Sequence, residues 1–184
     1  MGMLIAVAGL AGAGKTTAID HLESLGAGRR VYVGELVLNE VRAQGLEVNP
    51  ENENSVRLNL RRTHGAEAFA ALAVPVVLDI LSSGENALLD AIFSIEEHHH
   101  FRQQCSNPVV LLGIVASFDL RANRLRRRSH RTLSRDQLKI RDETDQTKLG
   151  LDRALAEAQH KIVNERSLEA FKEELERFWG SLSV

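Results

Sequence analysis

Residues 9–16, Gly-Leu-Ala-Gly-Ala-Gly-Lys-Thr, restrict what this chain can fold into more than any other segment. They fit G-x-x-x-x-G-K-[ST], in which glycines let the backbone wrap until successive N–H groups point at one spot, faced by the positive end of the helix that follows. The pattern carries this meaning only between a buried strand and a helix. Both flanks are present, an apolar run at residues 3–8 and an amphipathic pattern over residues 16–25. The expectation is a cradle for a nucleoside triphosphate, ATP, with Mg²⁺. Gly9, Ala11, Gly12, Ala13 and Gly14 would supply backbone, Lys15 would reach the outer phosphates, Thr16 would offer its hydroxyl to the metal, and Thr17 would bond an inner phosphate.

The rest of the chain alternates short apolar runs with longer helical patterns, the signature of a mostly parallel sheet wrapped by helices. Strands are expected at residues 3–8, 30–33, 86–90, 109–116 and 161–164. Helices are expected at residues 16–25, 35–43, 50–64 (opened by Asn49-Pro50), 66–81 (with Pro75 inside), 95–104, 152–159 and from Ser167 to about residue 182. Residues 120–150 are strongly charged. With Ser134 and Gln137 spaced as a capping box, they read as a helical hairpin standing off the sheet. The fold class is therefore α/β, a three-layer α/β/α P-loop NTPase with a five-stranded parallel sheet and a helical lid. One domain spans residues 1–184, with a helical insertion at about 35–83 and the lid at about 119–149.

Composition narrows the partners. Basic residues number 23 against 25 acidic ones, so no charge excess points to nucleic acid or a membrane surface. No run approaches the roughly 20 consecutive apolar residues of a membrane span, and the N-terminus lacks a basic leader, so the expected location is the cytoplasm. Cys105, the single cysteine, cannot form a disulfide within the chain and reads as a buried thiol. Oligomeric state is not encoded in any of these features.

Three further groups carry chemistry. Asp90 follows Ala87-Leu88-Leu89 at the C-terminal end of an expected strand, the edge that holds the cradle in a doubly wound sheet, where a carboxylate can support Mg²⁺ or orient an attacking hydroxyl. Residues 121–135 contain seven arginines (Arg121, Arg124, Arg126, Arg127, Arg128, Arg131, Arg135) and no acid. Arg121, Arg124 and Arg128 share a helix face, a guanidinium stripe suited to phosphate, with Arg124 and Arg128 as the catalytic candidates beside Lys15 and Asp90. Arg141 could contribute from the returning helix. A second basic group, Arg57, Arg61, Arg62 and His64, lies on the helix before Gly65, with Glu35 and Arg42 upstream. His98-His99-His100 suggests metal, but adjacent helical residues point about 100° apart, so a solvated surface is expected.

Together these features resemble the nucleoside monophosphate kinase group and, more closely, the dephospho-CoA kinase-like family of small nucleotide kinases. The resemblance covers nearly the whole chain. Beyond the cradle it rests on Gly34-Glu35-Leu36-Val37, Leu60-Arg61-Arg62-Thr63-His64-Gly65, Leu89-Asp90-Ala91-Ile92-Phe93-Ser94, Phe101-Arg102, Arg141-Asp142 and the ending Ile162-Val163-Asn164-Glu165-Arg166-Ser167-Leu168-Glu169. It implies transfer of the γ-phosphoryl group of ATP to a small nucleotide-like acceptor, a nucleoside monophosphate or dephospho-CoA type, bound by Glu35, Arg42, Arg57 and Arg61. Two positions depart from the family: Phe93 stands where an arginine is often found, and Leu38 replaces an arginine that many monophosphate kinases use on the acceptor. The alternatives are a regulatory NTPase, with no N-K-x-D segment for guanine, or a nucleic-acid-binding module, disfavoured because the arginine segment lacks interleaved aromatics.

Overall fold

The computed structural model describes residues 2–128 and 132–182, apart from the side chains of Pro50 and Asn54. Arg131 lies outside the described residues. Five strands, β1 (Leu4–Ala8), β2 (Arg29–Tyr32), β3 (Ala87–Ile92), β4 (Val109–Val115) and β5 (His160–Val163), form one sheet in the order β2-β3-β1-β4-β5. Every pairing is parallel. Such a sheet is covered on both faces, and β1 shows it: Leu4, Ala6 and Ala8 belong to one core, Ile5 and Val7 to the other.

The first core is closed by α2 (Val33–Ala43), α4 (Ala68–Ser82), α5 (Ile95–Gln104) and α8 (Leu151–Glu157), with Val37, Val41, Ala73, Val77, Phe101 and Ala154 among its buried members. The second is closed by α1 (Lys15–Ser24) and α9 (Leu168–Leu182), through Ala18, Ile19, Leu22, Phe171, Leu175 and Phe178. This is the three-layer arrangement expected from the alternation of strand and helix. The expected strands and helices recur with ends moved by two residues at most.

The signals at helix ends act as their chemistry requires. In α3 (Pro50–His64), the Asn49 side chain accepts from the backbone N–H of Asn52, and in α7 (Arg135–Glu143), Ser134 and Gln137 form both halves of the capping box. Ser167 likewise accepts from the N–H of Ala170 at the start of α9.

Two expectations need correction. The charged region does not stand off the sheet. Within it, α6 (Phe118–Arg126), α7 and a π turn (Thr144–Lys148) fold against the cradle, and a small third core joins Ala11 to Ala122, Leu125 and Leu138. A helical stretch long and apolar enough to cross a membrane, by length and composition alone, is also present: Glu51–Ser82. The helix reaches this length because the polar α3 continues through a 3₁₀ turn (Gly65–Glu67) into the apolar α4, whose Ala70, Ala73, Val77 and Ile80 lie in the sheet core.

Candidate functional site

β1 delivers the chain to its C-terminal edge, where residues 9–14 turn into α1. Gly12 and Gly14 have φ of 81° and 112°, a conformation that L side chains rarely adopt. Space forbids side chains as well. A Cβ on Gly14 would lie 2.4 Å from Asn164 Nδ2, and one on Gly12 would lie 3.0 Å from the Arg121 carbonyl oxygen. α1 starts from Gly14 with no side-chain cap, whereas α3, α5 and α7 each carry one. The first turn of α1 therefore keeps N–H groups available to an anion. Thr16 and Thr17 are exposed at this turn. The cradle fits a polyphosphate with Mg²⁺.

Lys15 lies back along the loop, its Nζ donating to the carbonyl oxygens of Gly9 (2.6 Å) and Leu10 (3.2 Å). Burial, reinforced by Arg141 and Arg128, pulls its pKa from 10.5 down to about 8, while Asp90 and Asp145 pull the other way. The ammonium sits 5.9 Å from the centre of the Phe93 ring.

A cavity opens on each side of the cradle. The first, of about 400 Å³, is lined by Gly12, Gly14, Thr17, Arg124, Arg128, Asn164, Leu168 and Phe171. Asn164, just past β5, is buried; its Nδ2 donates to the Ala13 carbonyl (2.8 Å), and its Oδ1 accepts from Arg124 Nη2 (3.1 Å). Asn164 thus braces the loop and aims Arg124. It belongs to the ending segment that carries part of the family resemblance, but its role as a brace is not legible there, since it stands 151 residues from the loop it holds.

The arginine segment divides by burial. Arg121 does not join Arg124 and Arg128 in facing this cavity. It is 3% exposed, pairs bidentately with Asp142 (2.9 and 2.6 Å), and donates to the carbonyls of Ala11 (3.1 Å) and Ala116 (3.1 Å). It ties α6, α7 and the loop together; breaking such a buried pair by removing one partner costs about 3–5 kcal/mol. Arg126 and Arg127 are exposed, and Arg135 pairs with Asp119 at 2.5 Å.

The second cavity, of about 550 Å³, takes lining from β2, the first turn of α2, α3, α4, β3, α7 and the π turn. Asp90 reaches it from β3, where it pairs across the sheet with Val7, two residues before Gly9. Its carboxylate, 6% exposed, accepts from Arg30 Nη2, whose other nitrogen Nη1 bonds Asp20 at 2.8 Å. Arg57 and Arg61 line the wall, their guanidiniums 5.7 and 4.9 Å from the centre of the Phe69 ring, and Arg57 is further held by Glu53 at 2.7 Å. Arg141 and Asp145 face them across the cavity, 3.6 Å apart. Burial raises the pKa of Asp145, which Arg141 and Lys15 oppose. Asp145, Tyr32 and Phe69 line this site without any motif to announce them.

Glu35 and Arg42 do not line either cavity. They pair with each other on the outside of α2 (2.9 Å), both about half exposed. At 100° per residue, Val37 and Val41 share the face that packs into the core, while Glu35 and Arg42 share a face turned away from it. Phe93, the expected departure, lines the second cavity. Beneath it, Glu97 is buried and accepts from the Phe93 N–H (2.8 Å); burial raises its pKa from 4.5 to about 7.

No protein-family model matches the chain. It is 30% identical over 185 residues to a UPF0200 protein of Thermococcus sibiricus, covering 99% of this chain and 96% of that protein. Among solved structures it resembles a shikimate kinase from Bacteroides thetaiotaomicron (TM-score 0.62, 13% identity, covering 100% and 99% of the two chains). A gluconokinase from Sinorhizobium meliloti is also similar (TM-score 0.59, 15% identity, covering 99% and 95%). At these identities the likeness establishes the P-loop kinase-like fold.

Proposed function

The chain belongs to the UPF0200 family, and on that footing we propose that it is an ATP-dependent phosphotransferase that phosphorylates a small anionic, nucleotide-like acceptor in the cytoplasm. The observation that carries this reading is the pair of cavities separated by the cradle, one holding Arg124, Arg128 and the loop glycines, the other Asp90, Arg57 and Arg61. A nucleotide-binding switch needs the first cavity. A phosphotransferase needs the second as well, with its reactive edge at the same strand end.

In this reading the loop N–H groups and Lys15 hold the donor phosphates, Lys15 leaving the carbonyls of Gly9 and Leu10 to do so. Mg²⁺, held by the Thr16 hydroxyl and supported by Asp90, would offset charge on the bridging oxygens. Asp90 orients the acceptor oxygen and takes its proton as the oxygen bonds to the γ-phosphorus and the bond to the ADP oxygen breaks. Arg57 and Arg61 bind the acceptor's own anion. The Phe69 face holds both guanidiniums, and Glu53 further holds that of Arg57, before the acceptor arrives, which lowers the cost of ordering them. Arg124 and Arg128 close over the donor.

The shikimate kinase and gluconokinase neighbours suggest hydroxyl acceptors as well as the nucleotide class. The test is a coupled ADP-release screen over nucleoside monophosphates, dephospho-CoA, shikimate and gluconate. Release stimulated by a nucleotide or by dephospho-CoA is expected. Stimulation by a sugar acid alone would keep the transferase and replace the acceptor class. Slow release that no acceptor raises would overturn the proposal in favour of a regulatory NTPase.

A further inference from the structure

The histidine triplet is not used by the reaction proposed above, and its geometry differs from that of a solvated surface. α8 packs along α5 and brings Glu157, its last residue, between two of the imidazoles. Glu157 Oε2 lies 3.0 Å from His99 Nε2 and 3.8 Å from His98 Nδ1, and the three donor atoms fall within 4.8 Å of one another. Nitrogen and oxygen ligands at about 2.0–2.2 Å from a tetrahedral zinc ion stand about 3.3 Å apart, so small side-chain rotations close this set around one ion.

His98 supplies a second, independent observation. It has no solvent exposure, and neither of its ring nitrogens has a hydrogen-bond partner among the described residues. An imidazole buried in this way leaves polar atoms unsatisfied, which native proteins seldom tolerate. The 100° offset between neighbours on a helix does not prevent joint ligation, because Nδ1 of one ring and Nε2 of the next reach different distances from the helix axis, and Glu157 meets both from a second helix.

We propose that His98, His99 and Glu157 bind one divalent ion of the zinc class, with solvent completing its shell. Two imidazoles and one carboxylate suit zinc and its late transition-metal neighbours, and are a poor set for Mg²⁺, which prefers oxygen. α5 begins two residues after Phe93 and α8 two residues after Leu149, and both of those residues line the larger cavity. The Arg153–Glu96 pair at 2.8 Å already joins the same two helices. An ion here would fasten together the two elements that lead away from that cavity's walls.

The experiment is zinc titration of the chelator-treated, dialysed protein, with metal content and melting temperature measured against zinc chloride and magnesium chloride. One zinc per chain is expected, with a rise in melting temperature that magnesium at equal concentration does not reproduce. His99→Ala and Glu157→Gln alter half-exposed side chains, so both variants should fold with an unchanged metal-free melting temperature, and each should weaken zinc binding by about tenfold or more. Absence of bound zinc in the unaltered protein would overturn the proposal. So would zinc held equally well by both variants, which would assign it to another part of the chain.

Discussion

The two cavities beside the cradle are made of different material. The smaller is anchored on a stretch of backbone, the glycine turn of residues 12–14 and the first turn of α1, which the side chains of Arg124, Arg128, Asn164, Leu168 and Phe171 complete. The larger is formed mostly by side chains from seven elements spread between Tyr32 and Leu149. A backbone-built site must be written in contiguous residues, because only glycine tolerates φ near +81° and +112° at Gly12 and Gly14. A side-chain-built site needs only that separated residues arrive together. The first kind is therefore constrained in chemistry and shared by many kinases, and the second is free to vary with the acceptor.

The largest effect should come from the residue at the junction of the two. Lys15→Met is expected to lower turnover by about 10³-fold, since it removes a preorganised cation from the transferring phosphates. Its melting temperature should stay level or rise, because a partly buried ammonium with a depressed pKa gives way to an apolar side chain of similar length. Steady-state kinetics and thermal melting on one preparation check both. A variant that melts earlier and still turns over would make Lys15 a structural member of the loop and dissolve the distinction between the cavities.

Asp90→Asn should come next, with turnover reduced by about 10²-fold and ATP affinity nearly unchanged, as expected for a group that positions the acceptor and takes its proton. Little stability should be lost, because Arg30 keeps its bond to Asp20 at 2.8 Å and the new amide oxygen still accepts from it. Turnover, ATP binding and melting temperature measured together sharpen the comparison. An equal loss of ATP affinity would move Asp90 to the donor side.

The same difference in material explains what could be read from residues alone. The cradle, the strand carrying Asp90 and the alternation of strand and helix follow local rules of spacing and φ, so each could be located from its own neighbourhood. Arg121 could not. It shares spacing with Arg124 and Arg128, but Asp142, 21 residues on, captures it, and that capture also lays the charged hairpin against the loop. Asn164 and Asp145 owe their places to packing between distant segments. The helical continuity of Glu51–Ser82 was hidden by a change of helix type at Gly65, and the burial of His98 by a partner helix that the triplet itself cannot indicate.

On the acceptor side, Arg57→Met and Arg61→Met should each raise the acceptor KM by about tenfold or more, with the KM for ATP unchanged, because a charge-assisted hydrogen bond to an anion is worth about 1.5–3 kcal/mol. The two should combine less than additively, since both guanidiniums lie over the Phe69 ring and one can shift when the other leaves. Initial rates over a grid of donor and acceptor concentrations separate the two KM values. A rise in the ATP value instead would merge the cavities into one donor site.

The smallest effect is expected at Glu35 and Arg42, the two sequence candidates for acceptor binding that the fold turns outward. They join each other at 2.9 Å with both side chains about half exposed, and Arg42 also bonds Asn39 Oδ1 at 2.7 Å on the same face of α2. A pair this open to water is worth about 0–1 kcal/mol, because solvent screens the attraction and two long side chains must be held still. Glu35→Gln and Arg42→Met should therefore lower the melting temperature only slightly and leave both KM values within about twofold, the size of surface substitutions away from a site. Raising the salt should narrow even the difference in stability. The buried wall of α2 gives a physical reason to expect this: Val37 and Val41 are fully buried in the core, which fixes the rotation of the helix and keeps residues 35 and 42 on its far side. For either residue to reach the acceptor, α2 would have to roll and expose those valines. A large rise in the acceptor KM for Arg42→Met would mean that such a rearrangement accompanies binding, and that α2, which lines the larger cavity only through Val33 and Gly34 of its first turn, adds its outer face to the closed site.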